Sequence, residues 1–182
     1  MHFSGRKFKP EFDIIYAVKF RDTIKLFLAS GFFLGLSPIV PGSFGALTGL
    51  AWHYTVWHFQ WDPAWDIRIW CLTGAVFFSA LHYLLTPWAQ KRWNDPDPKH
   101  FVLDEIVGYL CVPVFCPLPM TELWHLLAAF VIFRVFDAIK LPGARYIDRN
   151  IHTASGVLFD DVVSAVWSAL ALAAAMHFIP GA

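Results

Sequence analysis

Charged side chains are scarce in this sequence of 182 residues, of which only 15% are Asp, Glu, Lys or Arg. Apolar residues make up 57% of the chain and aromatic residues 18%. A soluble domain carries about 25% charged and about 45–50% apolar residues, so this composition indicates a chain that is solvated by lipid. The formal net charge is zero, so the chain has no global positive field that would attract nucleic acid.

Cysteine is also scarce, and the three cysteines, Cys71, Cys111 and Cys116, all lie in apolar runs. An odd number in such surroundings does not indicate a disulfide framework. A cysteine phosphatase is excluded as well, because its phosphate-binding loop needs an arginine six positions after the nucleophile. Pro117 and Glu122 occupy those positions after Cys111 and Cys116.

Long apolar stretches make up most of the chain. Residues 26–58 are interrupted by Pro38, Pro41 and several glycines, which predicts a short helix, a turn at 37–42, and a spanning helix that starts near Ser43 as its N-cap. Four further stretches are about as long as a bilayer requires, and they cover residues 67–86, 101–117, 123–139 and 157–179. We expect an all-α integral membrane protein, a helical bundle of about five spans whose first hairpin is broken by proline and glycine.

Lysine and arginine are concentrated in alternate connections between these spans, so that they lie on one side of the membrane. Nearly all of them lie in residues 1–25, 87–100 and 140–156, whereas the loops at 59–66 and 117–122 have none. The positive-inside rule therefore places the N-terminus in the cytoplasm and the C-terminus outside. We expect residues 1–25 to be a basic, amphipathic cytoplasmic arm without a cleavable signal peptide, and residues 26–182 to be one membrane-embedded catalytic domain.

Acidic residues recur at the predicted cytoplasmic ends of the spans. Two adjacent pairs and one single residue are involved: Asp104 with Glu105, Asp160 with Asp161, and Asp137. Carboxylates at membrane depth are costly and usually functional. Oxygen ligands without a His–Cys pattern suit Mg²⁺ better than Zn²⁺. Acidic residues that merely mark helix N-termini would explain one of these positions, but they explain the whole set poorly.

Two other patterns offer groups that bind anions. Arg134, Asp137 and Lys140 follow one another at a spacing of three, which places them along one helical face. Such a face could bind phosphate through Arg134 and Lys140, or it could be a helix end stabilised by ion pairs. The turn at Gly42 and Ser43 precedes a helix whose free amide groups could also face an anion, although a packing kink would have the same sequence.

Three blocks together resemble the phosphatidylglycerophosphatase A family of bacterial membrane lipid phosphatases. They are GLSPIVPGSFGALTG at 35–49, DPDPKHFVLDEIVG at 95–108 and FRVFDAIKLPGARYIDRNIHTASGVLFDDVVSAV at 133–166. One difference is Leu141, which separates Lys140 from Pro142 where the family motif has Lys next to Pro. The resemblance covers about residues 28–170, which is nearly the whole chain.

The resemblance implies Mg²⁺-dependent hydrolysis of phosphatidylglycerophosphate to phosphatidylglycerol and inorganic phosphate, in phosphatidylglycerol and cardiolipin biosynthesis. It implies a multi-pass protein of the bacterial cytoplasmic (inner) membrane, with the active site facing the cytoplasm and a phospholipid as its partner. The expected metal ligands are Asp104, Glu105, Asp137, Asp160 and Asp161. The expected catalytic residues are Asp104, Glu105, Asp137 and Asp161, and the expected phosphate-binding residues are Arg134, Lys140, Ser43 and Gly42. The nucleophile is either activated water or an aspartate, and the sequence leaves the oligomeric state open.

Two other functions share some of these features. Part of the CDP-alcohol phosphotransferase signature is similar to the pattern of Asp137, Gly143, Arg145 and Asp160 in this chain. However, the Asp-Gly pair before Ala-Arg is missing, and Ser164 stands where that signature has Asp. A small ion or proton transporter would also have membrane carboxylates and a broken helix. The clustering of charge at one face and the lack of an internal repeat favour the phosphatase.

Overall fold

All regular structure in the part of the chain that the structure describes is helical. The computed structural model describes residues 10–59, 66–120 and 122–178, with side chains described from residue 19 onward. Seven α-helices follow in order: α1 (Pro10–Ala29), α2 (Pro41–Phe59), α3 (Ile67–Trp93), α4 (Leu103–Phe115), α5 (Leu123–Ile139), α6 (Ala144–Asn150) and α7 (Ala154–Phe178). A short 3₁₀ turn, Leu34–Leu36, lies between α1 and α2. The expected all-α class is therefore confirmed.

Helix α4 is the centre of the bundle, where it packs against α2, α3 and α7. A helix that is apolar on all sides can be buried on all sides, and Ile106, Tyr109 and Leu110 are each 0% exposed. Gly108 allows α5 to approach closely, because a Cβ atom there would lie 2.6 Å from Phe133 Cζ on α5. Helix α4 thus holds its first turn, which carries two acidic residues, firmly against its neighbours.

The outside of the bundle is largely apolar. Two of the described helices, α3 and α7, are long and apolar enough to cross a membrane by their length and composition. On α5 an exposed stripe of large apolar side chains repeats every four residues, at Leu123, Leu127, Val131, Val135 and Ile139. At 13 residues, α4 is shorter than the ~20 residues that a bilayer requires. The expected number of about five spans stays a prediction.

The break between α1 and α2 is present, but its details differ from the expectation. Helix α2 already begins at Pro41, a residue that suits the first helical position because its missing N–H would be unpaired there anyway. Ser43 therefore lies inside the first turn, and its expected role as the N-cap is wrong. The backbone N–H of Ser43 donates to the carbonyl oxygen of Val40 at 3.0 Å.

Two segments that read as polar loops are partly helical. Helix α3 continues through Pro87 as far as Trp93, because the packing of its long apolar face outweighs the one hydrogen bond that a proline removes. The segment 140–156 contains α6. Helix α1 runs through position 25, and the division into an arm and a domain at that point stays a prediction. The basic residues of 1–9, positions 60–65 of the loop at 59–66, and the end of the last stretch at residue 179 lie outside the described residues.

Candidate active site

Several helix ends meet around one pocket of about 330 Å³ at one end of the bundle. Helices α2 and α4 contribute their first turns, α5 its last two turns and α7 its second turn. Eight of the nine site residues that the sequence predicts line this pocket: Gly42, Asp104, Glu105, Arg134, Asp137, Lys140, Asp160 and Asp161. Ser43, the ninth, follows Gly42 on α2. The fold thus gathers these residues from four helices, whereas their individual roles stay predictions.

Three carboxylates from α4 and α7 form a close cluster in the pocket. Asp104, Glu105 and Asp161 each present an oxygen atom, and these three atoms lie within 4.8 Å of one another. Asp104 is 7% exposed and Asp161 is 2% exposed. One buried oxygen of each of the three has no hydrogen-bond partner in the described structure. Because unpaired buried carboxylate oxygens are costly, this cluster fits a hard divalent cation such as Mg²⁺.

The ammonium group of Lys140 lies among three other carboxylate oxygens. Its Nζ atom donates to Asp137 Oδ1 at 2.7 Å, to Asp160 Oδ2 at 2.5 Å and to Asp161 Oδ1 at 3.0 Å. Burial alone would lower the pKa of Lys140, but the negative charges of Asp161, Asp137 and Asp160 outweigh it and raise that pKa above its ordinary value. Lys140 is therefore a permanent cation at physiological pH.

The backbone at Lys140 is fixed from the other side. Lys140 ends α5 in the left-handed region, with φ of 46°. Arg145 on α6 donates from Nε to the carbonyl oxygen of Lys140 at 3.0 Å and from Nη2 to that of Ile139 at 2.9 Å. These bonds satisfy carbonyl groups that the end of a helix leaves unpaired. The short helix α6 thus keeps the Lys140 side chain directed at the carboxylates.

Arg134 connects the α5 face to the start of α2. Its Nη1 atom donates to Asp137 Oδ2 at 2.5 Å, and its Nε atom donates to Ser43 Oγ at 3.1 Å. A Cβ atom added at Gly42 would lie 3.0 Å from Arg134 Nη2 and would overlap Glu105 Oε1. The sequence pattern of Arg134, Asp137 and Lys140 is therefore both an ion-paired helix end and a wall of the pocket. Gly42 lets α2 approach Glu105 and Arg134 closely, and Ser43 supplies the oxygen that accepts from Arg134 Nε.

Negative charge dominates the pocket. Its lining has seven carboxylates and only three cationic side chains, Lys99, Arg134 and Lys140. A phosphate group would be repelled by this excess, because like charges in a partly buried site interact strongly. Divalent cations held by the carboxylates would reverse that repulsion. The arrangement is suited to binding an anion through metal ions and to transferring protons through carboxylates.

Three further charged residues line the pocket without having been assigned a role from sequence. Asp97 and Lys99 come from the connection before α4, and Asp148 comes from α6. The signal for Asp97 was present in the run Asp95-Pro-Asp97-Pro, directly before the Asp104–Glu105 pair. Asp148 gave no comparable signal, because it lies in a segment that reads as a basic loop.

Comparisons with known proteins show which family the chain is similar to. The family model described as "Phosphatidylglycerophosphatase A" matches residues 27–176. The chain is 35% identical over 143 residues to the phosphatidylglycerophosphatase A of Escherichia coli K12, covering 78% of this chain and 77% of that protein. It is 30% identical over 155 residues to that of Haemophilus influenzae Rd, covering 84% of this chain and 88% of that protein.

A third relative has a different name. A Bacteroides thetaiotaomicron protein, provisionally named a phosphatidylinositol-3-phosphatase, is 30% identical over 161 residues, which cover 86% of this chain and 96% of that protein. No solved structure matches the chain significantly. The family match spans every pocket residue that the sequence predicted, from Gly42 to Asp161. This chain belongs to the phosphatidylglycerophosphatase A family.

Proposed function

We propose that this lipid phosphatase hydrolyses the terminal phosphomonoester of phosphatidylglycerophosphate, with Mg²⁺, to give phosphatidylglycerol and inorganic phosphate. The observation that carries the proposal is the pocket itself. Three carboxylates, each with one buried and unpaired oxygen, lie next to two cations that are fixed by hydrogen bonds. This combination suits a phosphoryl group bound between metal ions and fixed positive charges. We take phosphatidylglycerophosphate as the substrate because the E. coli and H. influenzae relatives are named phosphatidylglycerophosphatase A.

The five carboxylates Asp104, Glu105, Asp137, Asp160 and Asp161 would hold Mg²⁺. When bound, Mg²⁺ supplies positive charge that offsets the carboxylates and polarises the phosphoryl group. Arg134 Nη2 would bind a remaining phosphate oxygen, with Ser43 orienting the guanidinium through its bond to Nε. Lys140 Nζ would bind another by exchanging one of its three carboxylate bonds when those carboxylates turn to the metal. The close contact at Gly42 keeps α2 near enough for this arrangement.

In the reaction, the oxygen of a water molecule forms a bond to phosphorus while the ester P–O bond breaks. A pocket carboxylate accepts the proton of the water, and the departing glycerol oxygen takes up a proton. Attack by an aspartate is the alternative route. It would leave a phosphorylated enzyme, which rapid acid quenching with radiolabelled substrate would trap.

We also propose that the protein is a multi-pass protein of the bacterial inner membrane with its pocket at the cytoplasmic face. The long apolar helices α3 and α7 and the exposed stripe on α5 support membrane insertion. Cationic residues flank the pocket end of the bundle: Lys91, Arg92 and Lys99 precede α4, and Arg145 and Arg149 lie on α6. By the positive-inside rule, these residues support a cytoplasmic location of that end.

The transferase alternative loses support at Ser164. The hydroxyl of Ser164 donates to the backbone carbonyl oxygen of Asp160 at 3.0 Å, one turn earlier in α7. It therefore contributes to the helix and supplies no carboxylate where the CDP-alcohol phosphotransferase signature has one. A hydrolase that transfers phosphate to water does not need that group.

The substrate is tested by phosphate release in detergent micelles with Mg²⁺. We expect phosphatidylglycerophosphate to be hydrolysed about tenfold faster than phosphatidic acid, because only the former carries a phosphodiester that can meet Lys99 at the pocket rim. Phosphatidylinositol 3-phosphate, suggested by the Bacteroides relative, serves as the competing substrate. Folded protein that releases no phosphate from phosphatidylglycerophosphate would contradict the proposal, and a clear preference for the inositol lipid would reassign the substrate.

Gly42→Ala tests the close approach of α2 to the site. The added methyl group must displace Glu105 or Arg134, and misplacement of such groups by about 1 Å can lower a rate about 100-fold. We expect kcat to fall between about 10-fold and 100-fold while the protein stays folded. Leu47→Ala, on the outward face of the same helix, is the control and should keep its rate. An unchanged rate in Gly42→Ala would show that this contact does not position the site.

A further inference from the structure

The segment between α1 and α2, residues 30–40, exposes apolar side chains beside the pocket. We call it the α1–α2 loop. Ile39 is 70% exposed and Val40 is 59% exposed. Phe32, Phe33, Leu34 and Leu36 are exposed as well, each between 37% and 44%. No charged residue occurs between Lys25 and Asp62, so no charged side chain interrupts the apolar surface of this loop.

The inner side of the loop is fixed to the rest of the molecule. Gly35 N donates to the carbonyl oxygen of Ser30 at 2.8 Å, and His100 Nδ1 donates to the carbonyl oxygen of Gly35 at 2.8 Å. A Cβ atom at Gly35 would lie 2.7 Å from Val102 Cγ1. The loop is therefore clamped onto the connection between α3 and α4, and its outward side chains have a defined position.

The backbone of this loop is strained at three residues. Phe32, Phe33 and Val40 have φ values of 61°, 68° and 48°. Non-glycine residues rarely adopt this region, and for a β-branched residue such as Val40 it is an outlier. Such strain persists where the surrounding structure imposes it, and it is concentrated at functional sites. A turn at these positions would cost less conformational free energy with glycine or asparagine, which adopt the left-handed region more readily.

The loop is continuous with one rim of the pocket. Val40 and Pro41 line the pocket, whereas Asp97, Lys99 and Asp148 lie among its charged lining residues. The pocket is thus bordered by both apolar and charged groups. A phospholipid has the same asymmetry, with a charged headgroup at one end and acyl chains at the other.

We propose that the α1–α2 loop inserts into the acyl region of the cytoplasmic leaflet and that lipid substrate reaches the pocket across its Val40 rim. The inference rests on the proposed function for the identity of the lipid. It adds a defined membrane-inserted surface and a side from which the substrate arrives. The occupant of the loop surface is the acyl region of the bilayer; a second copy of this chain or another protein is an outcome that the first experiment can detect.

Insertion is tested without any assay of activity. Ile39→Cys is labelled with an environment-sensitive fluorophore, and the protein is placed in nanodiscs whose lipids carry bromine on the acyl chains. The native cysteines are buried, so the introduced thiol is the reactive one. Asp95→Cys, at an exposed position in the polar connection after α3, is the control. We expect several-fold stronger quenching at position 39 than at position 95. Equal or weaker quenching at position 39, as a covering protein would produce, would overturn the proposal.

The route of the substrate is tested by comparing two forms of the same lipid. Long-chain phosphatidylglycerophosphate is supplied within the nanodisc bilayer, and a short-chain form is supplied as monomers in solution. For the double variant Leu34→Gln with Ile39→Gln, we expect the ratio of long-chain to short-chain kcat/KM to fall about tenfold, through the KM of the long-chain form, because polar side chains oppose insertion. Leu34→Met with Ile39→Leu keeps the loop apolar and should keep the ratio.

The two proposals fail in different ways. An unchanged ratio in the glutamine variant, with active protein, would overturn the route while leaving the phosphatase intact. Wild-type protein that hydrolyses neither form would overturn the proposed function. In that case the quenching at position 39 still decides whether the loop enters the bilayer.

Discussion

Replacing Asp104 with asparagine is expected to lower Mg²⁺-dependent phosphate release about 1,000-fold, which corresponds to about 4 kcal/mol of transition-state stabilisation. Asparagine has the same shape but no charge. Asp104 is one of three carboxylates whose oxygens lie within 4.8 Å, so the substitution removes a third of the charge available to a cation there. Removal of Mg²⁺ with a chelator should lower the wild-type rate to a similar level.

The same substitution is expected to have the opposite effect on stability. Without a cation, the buried carboxylates of Asp104 and Asp161 and the half-buried carboxylate of Glu105 repel one another. Asp104→Asn should therefore raise the temperature of unfolding in detergent when a chelator is present. A variant that gains stability but loses rate identifies Asp104 as a metal ligand. Substitution of a residue that only supports the fold would lower the stability and the rate together.

Asp95→Asn is the matched control for this experiment. Asp95 is exposed and its Oδ1 atom accepts from the backbone N–H of Asp97 at 3.0 Å, a bond that an asparagine oxygen can also make. The rate of phosphate release by Asp95→Asn should stay within about twofold of the wild-type rate. If Asp104→Asn also keeps its rate, the cluster is not the metal site, and Asp137 and Asp160 become the candidate ligands.

Much of the site could be predicted from the sequence because its residues are adjacent or helically spaced. Asp104 with Glu105 and Asp160 with Asp161 are pairs in the chain, and a spacing of three in a helix fixes a common face. The charge pattern of the loops then gave them a common side. Their convergence on one pocket is what the structure adds, since it depends on how α4 packs between α2, α3 and α7.

The parts that could not be predicted depend on tertiary contacts. Asp148 reaches the pocket only because α6 folds back along α7, and nothing local in that basic segment indicates such a return. Pro87 reads as the end of a helix, yet α3 continues past it. Ser43 had the properties of an N-cap, but Pro41 begins the helix earlier. At Pro87 packing outweighed a local preference that is worth about 3 kcal/mol, whereas at Ser43 the preference of Pro41 for the first helical position decided where the helix begins.

Replacing Lys140 with methionine is expected to destabilise the metal-free protein by about 3–5 kcal/mol. Lys140 Nζ lies within 3.0 Å of oxygens from Asp137, Asp160 and Asp161, and methionine fills similar space without charge. The three carboxylates would then face one another without that cation. Both residues carry a β-carbon, so the strain of the left-handed backbone at position 140 is the same in the variant and the wild type.

Divalent cations should restore part of this loss, and that rescue separates a charge effect from a packing effect. Thermal unfolding in detergent is measured in chelator and in millimolar Mg²⁺ for wild type, Lys140→Met and Lys140→Arg. Arginine keeps the charge and should lose least in chelator. Bound Mg²⁺ stabilises the native state by mass action, and most strongly where the carboxylates have lost their internal cation.

A Lys140→Met protein as stable as wild type in chelator would mean that the three carboxylates are protonated and do not need Lys140. Destabilisation that Mg²⁺ leaves unchanged would place the role of Lys140 in packing. Rescue would show that the ammonium group and the metal ion neutralise the same carboxylates.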